Sequence, residues 1–83
     1  MKNVLVIDYN MGNLSSVANA VSYIGGNPII SNKPKDIKEA EYIILPGVGT
    51  FNDGMKNLIN LGLRDILIEQ IIDNKKPFLG ICL

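Results

Sequence analysis

Residues 3–26 read NVLVIDYNMGNLSSVANAVSYIGG, and a change of period inside this stretch decides the fold class. Val4-Leu5-Val6-Ile7 is an unbroken apolar run rich in β-branched residues. Such a run suits a strand covered on both faces, as strands of parallel sheets are. The run ends at Asp8. From Leu14 onward the apolar residues follow a different spacing: Leu14, Val17, Ala18, Val21 and Ile24 fall on one face of a helix. Asn13 fits an N-cap, and Gly25-Gly26 fits a helix stop.

Working outward from this unit, Ile29-Ile30 reads as a second, short strand, and Pro28 just before it favours a strand start or an outer position in the sheet. Ser31 to Lys35 is a polar loop, and Pro34 suits the first turn of a short helix through Asp36, Ile37 and Ala40. Tyr42 to Leu45 is a third apolar strand, expected to end sharply at Pro46-Gly47-Val48-Gly49. A helix in two pieces comes next. Thr50 and Asp53 have capping-box-like spacing, with Asp in place of the usual Glu or Gln. Met55, Leu58 and Ile59 are expected to face inward, and Gly62 to mark a break. Leu63, Ile66, Leu67, Gln70 and Ile71 resume helical spacing. After a polar turn from Asp73 to Lys76, Pro77 opens a last strand, Phe78 to Ile81, with Cys82 at its end. The order β-α-β-α-β-α-β predicts an α/β three-layer sandwich: a mostly parallel sheet, right-handed crossovers and helices on both faces. No repeat, linker or low-complexity segment interrupts the chain.

Composition narrows the function classes. The 83 residues carry eight basic and eight acidic side chains, a formal charge of zero. No basic excess exists to hold nucleic acid or an anionic membrane. Hydrophobic residues make up 47%, ordinary for a packed domain and too high for a disordered tail. One cysteine cannot form an internal disulfide, and with no histidine a Cys/His zinc site is excluded. The longest apolar runs are too short to cross a bilayer, and the start lacks a secretory pattern. A cytoplasmic setting is the expectation.

In open parallel sheets ligands bind beyond the carboxyl ends of the strands. Three segments converge there: Asp8 to Asn13, Pro46 to Thr50, and Gly80 to Leu83. Cys82 is the sharpest candidate. Gly80-Ile81-Cys82 resembles the first half of a nucleophile elbow, in which a tight strand-to-helix turn lifts the side chain out of the sheet. A following helix would aim its amides at the sulfur and lower the thiol pKa from its reference of about 8.5. The alternative is a buried structural cysteine. Pro46-Gly47-Val48-Gly49 leaves backbone N–H groups accessible, so one could face a developing oxyanion. Losing one such donor costs roughly 3–4 kcal/mol of transition-state stabilisation. A plain βα turn is the alternative. Gly12 and Asn13 at a helix start could bind an anion, or Asn13 could simply cap the helix. Neither a dinucleotide fingerprint nor a Walker A loop is present. The lysines at 33, 35, 38, 75 and 76 read as solvated loop charges.

Three stretches, Asp8-Tyr9-Asn10-Met11-Gly12-Asn13-Leu14, Ile44-Leu45-Pro46-Gly47-Val48-Gly49 and Lys76-Pro77-Phe78-Leu79-Gly80-Ile81-Cys82-Leu83, together resemble class I (triad-type) glutamine amidotransferases. The Pro-Gly-Val-Gly stretch is most similar to the glutaminase subunits of imidazole glycerol phosphate synthases. The resemblance implies a flavodoxin-like fold, with residues 1–83 as the N-terminal part of a single amidotransferase domain, truncated just after the nucleophile. The family's distal His and Glu are absent from the chain, so these residues alone are expected to be inactive. Asn10 stands where relatives commonly have glycine.

The resemblance also implies an activity: hydrolysis of L-glutamine to glutamate and ammonia. Cys82 would be the nucleophile. Backbone amides near Val48 and Gly49, with that of Leu83, would hold the oxyanion, and Gly47 would line the glutamine pocket. Ammonia would pass to a (β/α)8-barrel cyclase subunit, in a heterodimer, that makes imidazole glycerol phosphate and an aminoimidazole carboxamide ribotide in histidine biosynthesis. Asn10, Met11, Gly12, Asn13 and Ser16 would belong to the surface meeting that partner. No metal or organic cofactor, nucleic acid or membrane is implied. Two alternatives stay open. One is a paralogous amidotransferase feeding another synthase, for example in surface-sugar amidation. The other is a non-catalytic flavodoxin-like module, although a phosphoacceptor receiver wants its aspartate after the third strand, where Pro46 stands.

Overall fold

The computed structural model describes residues 2–9, 14–47 and 51–82, with the backbone alone for residues 51, 52, 81 and 82. Four strands form one all-parallel sheet in the order β2-β1-β3-β4: β1 (Asn3–Ile7), β2 (Asn27–Ser31), β3 (Tyr42–Gly47) and β4 (Phe78–Cys82). The helices are α1 (Leu14–Tyr23), α2 (Pro34–Glu39), α3 (Phe51–Asn60) and α4 (Arg64–Ile68), and α4 runs on into a π-helical turn, Glu69–Asp73. The expected α/β class and parallel sheet are therefore observed.

β1 lies inside the sheet because its side chains want cover on both sides. Leu5, Val6 and Ile7 are all buried. Successive strand residues point to opposite faces, and the two faces have different partners. Leu5, Ile7, Ile43 and Leu45 pack with Ile37 and Ala40 around α2, with Met55 and Leu58 from α3, and with Leu63, Ile66 and Leu67 at α4. Val4 faces the other way, toward α1, where a Cβ on Gly26 would sit 2.8 Å from Val21 Cγ1 and 3.4 Å from Val4 Cγ2. Helices thus cover both faces, as the alternation predicts.

The helix stops fall where the glycines are. After α3, the Gly62 N–H donates to the Ile59 carbonyl (3.0 Å) and the Leu63 N–H to that of Leu58 (2.9 Å). This is the Schellman pattern, which needs a left-handed residue at the turn, and Gly62 has φ +72°. Leu58 and Leu63 then meet in the core. A Cβ at Gly62 would find open space, so Gly62→Ala tests backbone strain alone. It is expected to speed native-state hydrogen exchange of the Leu63 and Leu67 amides about tenfold, the equivalent of a left-handed penalty of 1–2 kcal/mol.

Four expectations shift. First, β2 is longer than Ile29-Ile30 and takes in Pro28; it is an edge strand, the position proline tolerates. Second, β3 does not end at Leu45 but continues through Pro46 to Gly47. The Ile43 N–H donates to the Pro77 carbonyl at the head of β4 (3.0 Å). Amides alternate sides along a parallel strand, so residues 43, 45 and 47 turn theirs to β4 and residues 44 and 46 to β1. The β1 ladder stops at Val6–Ile44, so the missing N–H of Pro46 falls past the last rung on that side. Third, Ile59 is 56% exposed rather than inward. It lies about 100° round the helix from Leu58, and among the described side chains of α3 it is Met55 and Leu58 that reach the core. Fourth, the second helical piece widens: the Asn74 N–H donates to the Glu69 carbonyl five residues back (3.0 Å). Gln70 is buried within this wide turn. Its Nε2 donates to Glu69 Oε1 (3.1 Å), and its Oε1 accepts from Asn74 Nδ2 (3.2 Å). Asn13 and Thr50, the two expected caps, lie outside the described residues.

Candidate functional site

Because every strand runs the same way, the carboxyl ends of β1, β3 and β4 share one edge of the sheet. The residues that close β3 and β4 are Gly47 and Cys82, and they are register partners across the ladder. Hydrogen-bonded strands lie about 4.8 Å apart, so the sheet delivers Cys82 next to the glycine that opens the candidate oxyanion segment. These two positions are 35 residues apart in sequence, and it is the length of β3 past Pro46 that brings them level. The alternation along β3 turns the Gly47 N–H toward β4, into the ladder. A free donor for an oxyanion must then come from the amides after Gly47.

The remaining expected site residues divide into two groups. Val48, Gly49, Leu83, Asn10, Met11, Gly12 and Asn13 lie outside the described residues. Ser16 lies in the first turn of α1, where it is exposed and makes a polar contact. That end of α1 follows β1, so it belongs to the same edge of the sheet. Asp8, half-buried past the end of β1, donates its backbone N–H to the Ser31 carbonyl (3.0 Å) and so ties β1 to β2 there.

Two residues carry more than the sequence reading gave them. Tyr9 reads as part of a loop, yet it is 4% exposed and belongs to the core. Its ring packs against the first turn of α3, where a Cβ on Gly54 would lie 3.6 Å from Tyr9 Cε2. The loop after β1 and the helix after the candidate oxyanion segment thus meet through one aromatic ring. Lys76 reads as a solvated charge, in a class with Lys33, Lys35, Lys38 and Lys75. The other four are exposed, but Lys76 reaches across to α2. Its Nζ donates to the carbonyls of Ile37 (3.2 Å) and Lys38. Desolvation by burial lowers its pKa from the ordinary lysine value. The available signal was the place of Lys76 directly before the proline that precedes β4, together with a short helix lacking a glycine cap.

Chemically, the edge offers a cysteine position and a glycine-flanked backbone segment. The chain has no histidine to act as base. Among the described residues no group of three or more His, Cys, Asp or Glu could hold a metal ion, and no helix is long and apolar enough to cross a membrane.

Comparison with known proteins points in one direction. The family model for glutamine amidotransferase class-I matches residues 5–83. A protein of Methanococcus maripaludis named imidazole glycerol phosphate synthase subunit HisH 2 is 50% identical over 80 residues, 96% of this chain and 40% of the relative. The subunit HisH 1 of a Campylobacter jejuni strain is also 50% identical over 80 residues, with the same coverage. The subunit HisH of Methanosarcina acetivorans is 48% identical over 83 residues, 100% of this chain and 40% of the relative. The chain therefore spans about two fifths of the length of these curated relatives.

Proposed function

Because this chain belongs to the class I glutamine amidotransferase family, we propose that it is the N-terminal part of a glutaminase domain that releases ammonia from L-glutamine. In this reading Cys82 is the nucleophile. Its sulfur attacks the side-chain amide carbon of glutamine, forming an Sγ–C bond. A base outside these residues takes the thiol proton as the sulfur attacks; its conjugate acid then returns that proton to the leaving nitrogen as the C–N bond breaks and ammonia departs. Water hydrolyses the thioester to glutamate and regenerates the thiol. The negative oxygen formed on attack is held by backbone N–H groups of Val48 or Gly49 and of Leu83, while Gly47 lines the glutamine pocket. The observation that carries the reading is the pairing of Gly47 with Cys82 at the carboxyl edge. It supports the reading by bringing the backbone of Cys82 level with Gly47, the residue that leads into the segment proposed to carry the donors.

The names of the relatives support a finer reading. The ammonia would pass to a (β/α)8-barrel cyclase subunit making imidazole glycerol phosphate and an aminoimidazole carboxamide ribotide. Asn10, Met11, Gly12, Asn13 and Ser16 would form part of the surface that meets it. Several relatives bear the numbers 1 and 2, and this numbering favours a second reading: a parallel subunit with the same glutaminase chemistry serving a different ammonia acceptor.

A chimera separates the two. Residues 1–83 are joined to the remaining part of the Methanococcus maripaludis relative, and ammonia release from glutamine is followed with and without the histidine-pathway cyclase and its nucleotide substrate. The first reading expects release to rise severalfold when both are added. Release that ignores the cyclase supports the second reading, and no release of ammonia under any condition overturns both.

A further inference from the structure

β4 is an edge strand with β3 as its one neighbour among the described residues, so its register along β3 depends on how its first residues are held. Backbone hydrogen bonds fix this poorly. They are the same for every residue, so a slip of two positions would remake the ladder with each side chain still on its proper face, and only a slip of one would reverse the faces. A contact specific to one residue helps to break the tie.

The entrance to β4 is held at three places. The Lys76 N–H donates to the Gln70 carbonyl in the π-helical turn (3.1 Å), and the Pro77 carbonyl accepts from the Ile43 N–H of β3 (3.0 Å). Both are main-chain bonds. The third is made by a side chain: Lys76 Nζ donates to the Ile37 carbonyl (3.2 Å) and to that of Lys38, 39 and 38 residues away. These carbonyls lie in the last turn of α2, where helical carbonyls lack intrahelical partners and the helix dipole favours a cation. α2 has no glycine cap; the chain leaves it extended at Ala40. It is a firm anchor, because Ile37 is fully buried beneath the sheet and Ala40 packs beside it. The ammonium thus ties the start of β4 to the core in the observed register.

We propose that Lys76 is a positioning residue: by capping α2 it sets the register of β4 on β3 and so the place at which Cys82 stands beside Gly47. The inference rests on the reading of Cys82 as nucleophile, and Lys76 itself touches no reacting atom.

The test uses the same chimera with Lys76→Met and Lys76→Arg, and two readouts. Hydrogen exchange compares β4 amides 79–82 with β1 amides 5–7, and steady-state kinetics give kcat and KM for glutamine. Hydrogen bonds from a charged donor are among the stronger ones, so Lys76→Met is expected to speed β4 exchange about tenfold while leaving β1 unchanged. It should lower kcat by a similar factor with KM within twofold, and Lys76→Arg should restore most of both. The proposal is overturned if β4 exchange and kcat stay at wild-type values, or if β1 and β4 exchange rise together, as plain destabilisation would have it. Should Lys76→Met fail to fold, Lys76→Gln is compared with Lys76→Arg, and equal β4 exchange in the two overturns the proposal. The exchange readout does not depend on chemistry: a chimera still active as Cys82→Ala would sink the nucleophile assignment while β4 exchange continued to report the register.

Discussion

Cys82→Ala in the chimera is expected to lower glutamine hydrolysis on the order of 10⁴-fold, with glutamine binding largely kept. The size follows from the chemistry. Without the sulfur no thioester forms, and water must attack the amide directly with only the oxyanion donors to help. Cys82→Ser should fare little better, because a hydroxyl in that position is a far weaker nucleophile than a thiolate. Ammonia release and isothermal titration with glutamine on the same samples separate lost chemistry from lost binding. Retained activity in Cys82→Ala would remove the nucleophile from this strand and the proposed mechanism with it. The geometry makes the wild-type outcome reasonable: Cys82 closes β4 opposite Gly47, at the edge where open parallel sheets bind their ligands.

The second large effect concerns the 83 residues on their own. They are expected to self-associate at micromolar concentration and to melt without a sharp transition. β4 has a free edge among the described residues, and from Phe78 to Leu83 the sequence contains no charge and no proline to discourage pairing. The opposite edge, β2, carries Pro28. Both sides of β4 are apolar and open. Leu67, Ile68, Ile71, Ile72 and Phe78 line a groove on one side, and Val21, Ile24, Tyr42 and Leu79 line one on the other. Leu79 is 55% exposed and Ile72 65%. The chain's accessible surface is 5249 Å², against about 4,900 Å² for a folded monomer of this mass by the usual scaling. The excess is modest, so the weakness lies in what the surface is made of more than in its extent. Leu79→Lys should raise the concentration needed for association about tenfold, since covering one large apolar side chain contributes on the order of 1.5 kcal/mol. Sedimentation and thermal circular dichroism decide the matter, and a monomer with a cooperative melt would contradict the expectation.

Much of the fold was legible because its signals are local. Val4-Leu5-Val6-Ile7 announces a strand covered on both faces, and β1 is such a strand. Gly25 and Gly62 stop their helices because a left-handed turn suits glycine, a preference that belongs to the residue itself. Pro34 opens α2 for a similar reason. Ile59 was harder, because apolar spacing marks the inward side of a helix but not how wide a stripe the neighbours will cover. The wide turn at Glu69–Asp73 was illegible in periodicity, since one extra residue per turn hardly alters the spacing of Leu67, Gln70 and Ile71.

The common edge of the candidate site was legible, since β1, β3 and β4 run the same way and end there. The site's closeness was not. Proline and glycine at 46 and 47 read as a strand's end, because proline breaks a ladder wherever its missing N–H is needed. Pro46 turns its missing N–H toward β1, whose ladder ends at Val6–Ile44, and away from β4, so pairing with β4 continues past it, and only the packed sheet reveals that. Lys76 is a similar case: alone it is a lysine in a polar turn, and only the approach of the end of α2 gives its charge two carbonyls to meet.

The sequence by itself determined which segments are strands and helices, their order, the glycine stops after α1 and α3, and that the strands end at one common edge, because steric preference and hydrophobic period act within a few residues. The tertiary structure decided how far β3 runs, that Gly47 stands level with Cys82, and that Lys76 caps a helix almost forty residues away. Those outcomes depend on which strand lies beside which and where its ladder ends, and such contacts exist only once the sheet has closed around its core.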